Sequence, residues 1–433
     1  MVDVAEVKIW NELVGAVRWD ESQQLGYFQY DSQFLQKAWD LSPIKMPLEQ
    51  GGRIHSFPEL RKARSETEDA FKGLPGLLSD ALPDKYGNKL INIWLAQQGR
   101  PENSMNPVEK LCFIGTSGMG ALEFEPTSIK TRAYTYALEL DSLVQVAQKM
   151  LNERETFLTQ LNKDDEKAMM DILKIGTSAG GARPKAVIAY NPKTREVRSG
   201  QGKVPQGFEH WLLKLDGVSG EQFGECSGWG RVEYAYYLMA QDCCSDMSEC
   251  QLLEENGRAH FMTQRFDRKG NTRHHIQSLC GIQHYNFNDM YGYSYEQLFQ
   301  TMRILRLTYP EAEQMFRRMV FNVLATNYDD HTKNFSFILE KDGEWRLAPA
   351  YDLCFSFDPT NHWVNKQTLS VNGKRLDITK ADLLTIAKDN NLKKGKTILE
   401  EINTVIKNCK TYAEQAGVRK DLMERIQNNL NTF

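Results

Sequence analysis

The amphipathic periodicity of residues 309–324 stops at Thr326, and the next twenty-six residues leave the chain few choices. The stretch Thr326-Asn-Tyr-Asp329-Asp330-His331-Thr-Lys333-Asn334 is almost wholly polar and runs directly into an apolar strand, Phe335 to Leu339. Asp342-Gly343 supplies the positive φ that a tight hairpin turn needs. A second strand from Trp345 then delivers Pro349-Ala350-Tyr351-Asp352. A helix, a polar loop and a hairpin in this order bring Asp329, Asn334 and Asp352 side by side. A polar turn capped by Asp and Asn is the plainer reading, but the loop holds more ionisable side chains than one turn uses.

An acid able to take a proton, followed by an amide oxygen and a second acid able to hold a cation, is the layout of a kinase catalytic loop. Other parts stand upstream in matching order. Ile175 to Lys185 contains Ser178, Gly180, Gly181, Ala182, Arg183 and Lys185 before an apolar strand. Glycines there let backbone N–H groups approach a phosphate, and the two basic residues add charge. The spacing is neither GxGxxG nor a Walker loop. A shorter copy, Ile114 to Gly120, lacks the Arg and Lys and reads as a structural turn. The strand Glu209 to Leu215 carries a single Lys214, costly to bury unless it faces an anion, although a lysine can also snorkel outward. Glu233, early in the helix Arg231–Ala240, is an available partner for it, and acidic residues also suit helix starts for dipole reasons. The strand His260 to Arg268 falls where a two-lobed kinase crosses between lobes. His274 and His275 face opposite sides of a strand and so make no shared metal site.

The bulk numbers exclude several classes. At 433 residues, with 41% hydrophobic and 25% charged, the chain reads as an ordinary globular protein of two or three domains. A net charge of −4 gives no global field for nucleic acid. The basic runs Arg61-Lys62-Ala63-Arg64 and Lys393-Lys394-Gly395-Lys396 read as solvated faces. No apolar run of about 18 residues and no basic–apolar leader occurs, so a cytoplasmic protein with no membrane contact is expected. The eight cysteines lack zinc spacing and read as reduced thiols.

The expected fold is α+β: a two-lobed, protein-kinase-like fold with a small strand-rich N-terminal subdomain and an all-helical C-terminal lobe. The expected divisions are residues 1–125 for that subdomain, 126–268 for a nucleotide-binding lobe with glycine-rich loop and hinge, and 269–433 for the mainly helical lobe. The motifs Gly180–Lys185, Gln264–Arg268, Asp329–Ser336 and Pro349–Asp352 together resemble those of the HipA family of bacterial serine/threonine kinase toxins, over essentially the full chain.

The resemblance implies an ATP- and Mg²⁺-dependent kinase. It implies that Asp329 is the catalytic base and that Asn334 and Asp352 hold Mg²⁺. Lys214 would contact ATP phosphates, and Gln264, Arg265 and Phe266 would form the adenine hinge. By the same resemblance Gly180, Gly181, Ala182, Arg183, Lys185, His331, Lys333 and Tyr351 would line the nucleotide site. The family pattern around the base is Asp-Gly-His, whereas this chain has Asp329-Asp330-His331; the spacing to Asn334 favours Asp329 over Asp330. Ser178 matches the position of inhibitory autophosphorylation, with Thr177 beside it. A HipB-like helix-turn-helix antitoxin, operator DNA reached mainly through that antitoxin, and an aminoacyl-tRNA synthetase as substrate are the implied partners. The alternatives are a small-molecule phosphotransferase on the same fold and a nucleotide-binding regulatory protein that acts with a DNA-binding partner.

Overall fold

The computed structural model describes residues 2–61, 69–126, 137–152, 173, 176, 184–218 and 228–433. Strands β1 (Val4–Ile9), β2 (Glu12–Asp20) and β3 (Leu25–Tyr30) form an antiparallel meander, closed by β4 (Leu122–Glu125) beside β1. Alternation dictates its inner face: Ala5, Val7 and Ile9 are fully buried while their neighbours face outward. The β1–β2 turn, Trp10-Asn11, has positive φ at both residues (50° and 68°), the primed-turn geometry that matches strand twist. Between β3 and β4 run α1 (Gly76–Ser79), α2 (Lys85–Gln97) and α3 (Pro107–Ile114), the last two N-capped by Asp84 and Asn106.

After α4 (Leu140–Asn152), a second antiparallel sheet has the order β6-β5-β7-β9-β8. Its strands are β5 (Lys185–Tyr190), β6 (Val197–Ser199), β7 (Glu209–Lys214), β8 (Cys250–Glu255) and β9 (Arg258–Gln264), with α5 (Trp229–Asp242) between β7 and β8. Strand β5, flanked by β6 and β7, is buried along its whole length and reads as a continuous apolar run after Lys185. The core of this sheet takes Tyr86, Leu90 and Ile91 from α2 and Phe113 from α3. Helices contributed by the first 125 residues therefore pack under the second sheet as well as their own.

The short pair β10 (Arg268–Lys269) and β11 (Thr272–Arg273) leads into β12 (His275–Ser278), α6 (Leu279–Gln283), α7 (Tyr295–Ile304) and α8 (Tyr309–Leu324). Thr308 and Glu311 form a capping box at the start of α8, with Pro310 in its first turn. Strands β13 (Ser336–Leu339) and β14 (Trp345–Leu347) form the expected hairpin and join β12 in a three-stranded sheet. Helices α9 (Lys380–Asp389), α10 (Gly395–Lys407), α11 (Cys409–Gln415) and α12 (Lys420–Gln427) complete the larger lobe. Its core joins Met315, Phe316 and Met319 of α8 to Ile398 and Ile402 of α10 and to Tyr236 of α5. No helix among the described residues is long and apolar enough to cross a membrane.

Candidate active site

Lys214 ends β7, and its strand position sends the side chain toward both α5 and the end of the hairpin. Its ammonium lies 2.5 Å from Glu233 and forms a second ion pair with Asp352. Glu233 is 4% exposed, so this carboxylate has little water to lean on. Burial opposes the lysine charge, but the Asp352 and Glu233 carboxylates outweigh it and hold the ammonium well above the ordinary lysine range. Burial likewise opposes the Asp352 charge, and Lys214 overcomes it, so the carboxyl is lowered to about 2. Lys214 and Asp352 are therefore both charged at neutral pH. Asp352 adopts a left-handed backbone with φ 56°, a conformation that costs a non-glycine residue roughly 1–3 kcal/mol. The ion pair and the neighbouring Tyr351 contacts hold it there.

The loop Thr326–Asn334 leaves α8 through another left-handed residue, Thr326, with φ 55°. Asn334 donates its amide N–H to the Asp329 carbonyl at 2.7 Å, which closes the loop and leaves the amide oxygen available to a cation. The Asp329 side chain is 49% exposed, with His331 Nε2 3.8 Å away. The His331 ring rests against Phe287, at 5.5 Å between centroids, and its Nδ1 is buried without a partner among the described residues.

Asp330 points the other way. It is 1% exposed and accepts from the Tyr295 hydroxyl and Gln367 Nε2, both at 2.6 Å, and from the backbone N–H groups of Thr368 and Leu369. Burial raises its carboxyl to about 7 against those four donors. Asp330 thus knots the loop to the segment 367–369, while Asp329 keeps its carboxylate on the open side.

Tyr351 ties the two halves together. Its hydroxyl donates to the Lys333 carbonyl at 2.6 Å and meets Ser336 Oγ at 2.6 Å, and its ring lies 5.5 Å from that of Phe266. At the lobe crossing, Gln264 N–H donates to Glu249 and Arg265 N–H to His210. Phe266 is left with neither backbone group partnered among the described residues. The Arg265 side chain turns inward. It is 4% exposed and gives Nε and Nη2 to Asp267 at 2.8 and 2.6 Å, so only its backbone borders the cleft. Asp267 is in turn held well below the usual carboxylate range: burial would raise it, but Arg265 and Arg268 prevail.

Of the glycine-rich element, Thr177, Ser178, Gly180, Gly181, Ala182 and Arg183 lie outside the described residues. Lys185 is described and is 3% exposed, paired at 2.8 Å with Asp84 at the start of α2. Sequence reasoning passed over Asp84, because Leu82-Pro83-Asp84 reads as a helix break with an ordinary acidic N-cap. The Ile114–Gly120 turn, read from the sequence as structural, has that part in the fold. The carbonyls of Gly118 and Gly120 accept from Arg265, Arg268 and Arg273, which clasps the N-terminal subdomain to the lobe crossing.

The Asp352 carboxylate and the Asn334 amide, whose chain neighbours Tyr351 and Lys333 are hydrogen-bonded, offer the hard oxygen donors Mg²⁺ prefers, and one or two such groups suffice when phosphates supply the rest. Lys214 would provide a fixed positive charge for phosphate oxygens. The residues present fit a magnesium nucleotide.

Comparison with known proteins agrees with this reading of the fold. A putative kinase of Haemophilus influenzae (strain ATCC 51907 / DSM 11121 / KW20 / Rd) is 36% identical over 105 residues, 21% of this chain and 29% of that protein. The chain thus spans less than a third of the length of that curated relative. The solved complex of the Shewanella oneidensis MR-1 toxin–antitoxin system, HipA with HipB and its operator DNA, contains a chain of similar fold. The TM-score is 0.70 at 17% identity, with 98% of this chain and 95% of that one covered. The model of the HipA N-terminal domain matches residues 5–125, and that of the HipA-like C-terminal domain matches residues 177–415. With more than half of its length matched by the second model alone, the chain belongs to the HipA family.

Proposed function

We propose that this chain is a Mg-ATP-dependent serine/threonine protein kinase and the toxin of a HipA/HipB-like module. The observation that carries the reading is the Lys214–Glu233–Asp352 triad, which joins a strand lysine, a helix glutamate and a post-hairpin aspartate as phosphoryl transfer requires. Asp329 would accept the proton of the incoming hydroxyl, its carboxylate being the open one of the adjacent pair. Asn334 and Asp352 would hold Mg²⁺, which supplies charge neutralisation on the transferring phosphate when bound. Lys214 would grip phosphate oxygens, and the free backbone groups of Phe266 would meet the adenine edge. Tyr351 and Phe266 would keep the two lobes in register around the base.

The substrate would be a protein hydroxyl, an aminoacyl-tRNA synthetase by family likeness, so that translation slows and growth stops. Ser178, or Thr177 beside it, would be the autophosphorylated residue that switches the enzyme off. The partner would be a helix-turn-helix antitoxin that brings the kinase to operator DNA. Growth on induced expression tests this: arrest by the wild type, relieved by Asp329→Asn and by co-expression of the neighbouring helix-turn-helix protein, is expected. Unimpeded growth, or arrest that survives Asp329→Asn, counts against the toxin reading. Mass spectrometry of the purified protein locates the phosphate on Ser178 or Thr177.

A further inference from the structure

The segment Gly76–Lys85 belongs to the N-terminal subdomain, yet it is wedged between the two lobes of the candidate site. At its start, Gly76 N–H donates to His284 Nε2 at 3.0 Å, and a Cβ at Gly76 would lie 2.0 Å from the Gly281 carbonyl. Helices α1 and α6 therefore meet backbone to backbone. At its middle, Asp80 accepts from the Ser278 N–H and hydroxyl, both at 2.7 Å, at the N-terminus of α6. At its end, Asp84 caps α2 by accepting from Gly87 N–H at 2.6 Å and sends its other oxygen to Lys185. The charge of Lys333, in the catalytic loop, reaches both Asp80 and Asp84.

Lys185 and Lys214 are direct cross-strand partners of β5 and β7, so their side chains stand on one face of the sheet about 5 Å apart at Cβ. Two ammonium groups in that arrangement repel each other and are destabilising unless each has its own counter-charge. Lys214 has Glu233 and Asp352. Lys185 has Asp84, a residue from outside both lobes, and the pair is almost wholly removed from water, with side chains 3% and 9% exposed. The Lys185 charge also acts on Asp352, so the ammonium borders the same cluster of groups.

We propose that Asp84 is a positioning residue for nucleotide phosphates: it holds Lys185 beside Lys214 at the exit of the glycine-rich element, and so makes the N-terminal subdomain a part of the phosphate site. The inference rests on the Mg-ATP reading and adds to it a residue that acts through another. Without the Asp84 charge, the buried Lys185 loses the carboxylate that holds its ammonium beside Lys214 and shifts from that position. The phosphate end of the site then loses one fixed cation, while the adenine end, built from Phe266 on the far side, is untouched.

Asp84→Asn and Asp84→Ser test this, because both residues are N-caps as good as Asp and leave α2 intact. The probes are Mg-ATP and adenosine, bound to the full chain and measured by calorimetry. Both variants should weaken Mg-ATP about tenfold and leave adenosine affinity unchanged. In a double-mutant cycle, Asp84→Asn should add little on a Lys185→Met background, since contacting groups are non-additive. Unchanged Mg-ATP affinity in the variants, an equal loss for adenosine, or fully multiplicative effects with Lys185→Met would overturn the assignment while the kinase reading stands. A wild-type chain that binds no Mg-ATP would overturn both.

Discussion

Lys214 and Asp352 form an ion pair that bridges the two lobes: one ends the middle strand of the second sheet, and the other comes after the hairpin of the larger lobe. The same ammonium satisfies the buried Glu233. Lys214→Met therefore takes the cation away from the buried Glu233 and frees a left-handed Asp352. Removing one partner of a buried pair costs about 3 kcal/mol, so thermal unfolding should shift down by several degrees. Mg-ATP binding should disappear in the same variant. Intact stability on Lys214→Met would mean that the ion pairs of Lys214 contribute little to folding.

Asp330 makes stability depend on pH. Its folded carboxyl titrates at about 7 because it is buried, whereas an unfolded Asp titrates near 4. The folded form holds the proton more tightly, so this contribution is fully present below about pH 4 and is lost as pH rises to about 7. From pH 5 to pH 8 the loss is on the order of 3 kcal/mol, readable as a falling denaturation midpoint. Asp330→Asn should flatten that slope. Gln367 can turn its unpartnered amide oxygen to the new side chain, so the variant should fold.

The contact between α1 and α6 tolerates no side chain. A Cβ at Gly281 would lie 2.2 Å from Asp80 Oδ2 and 3.0 Å from the Gly76 carbonyl. Gly281→Ala should destabilise the chain by roughly 1–3 kcal/mol through overpacking. Differential scanning calorimetry checks this, and a melting temperature equal to that of the wild type would show that α1 is not wedged there.

Much of the site is legible in the chain because local rules agree with one another. The break in periodicity at Thr326, the Asp342-Gly343 turn and the two short strands specify a hairpin, and the hairpin carries Tyr351, next to Asp352, back to Lys333 and Ser336. Lys214 stands out as a charge inside an apolar strand, and Glu233 comes in the next helix. The choice between Asp329 and Asp330 is harder to read, since alternation in an irregular loop has no period. It is burial against Tyr295 and Gln367 that distinguishes them. The inward turn of Arg265 depends on Asp267, two residues away, and on Gly118, which is remote in sequence. Asp84 carries no mark at all beyond a helix cap, because its partner Lys185 lies about a hundred residues downstream and meets it only in the packed molecule. Contacts that exist only after three segments come together leave no local pattern.

The most direct test is transfer of label from γ-labelled ATP, with Mg²⁺, to the protein itself, in the wild type and in Asp329→Asn. The Asp329 side chain is 49% exposed, so the substitution should leave the melting temperature and Mg-ATP affinity unchanged. Loss of a positioned base should slow transfer by a factor of about 10²–10⁴. Transfer at the wild-type rate by Asp329→Asn would contradict the role given to this loop, and no transfer by a wild-type chain that binds Mg-ATP would contradict the kinase itself.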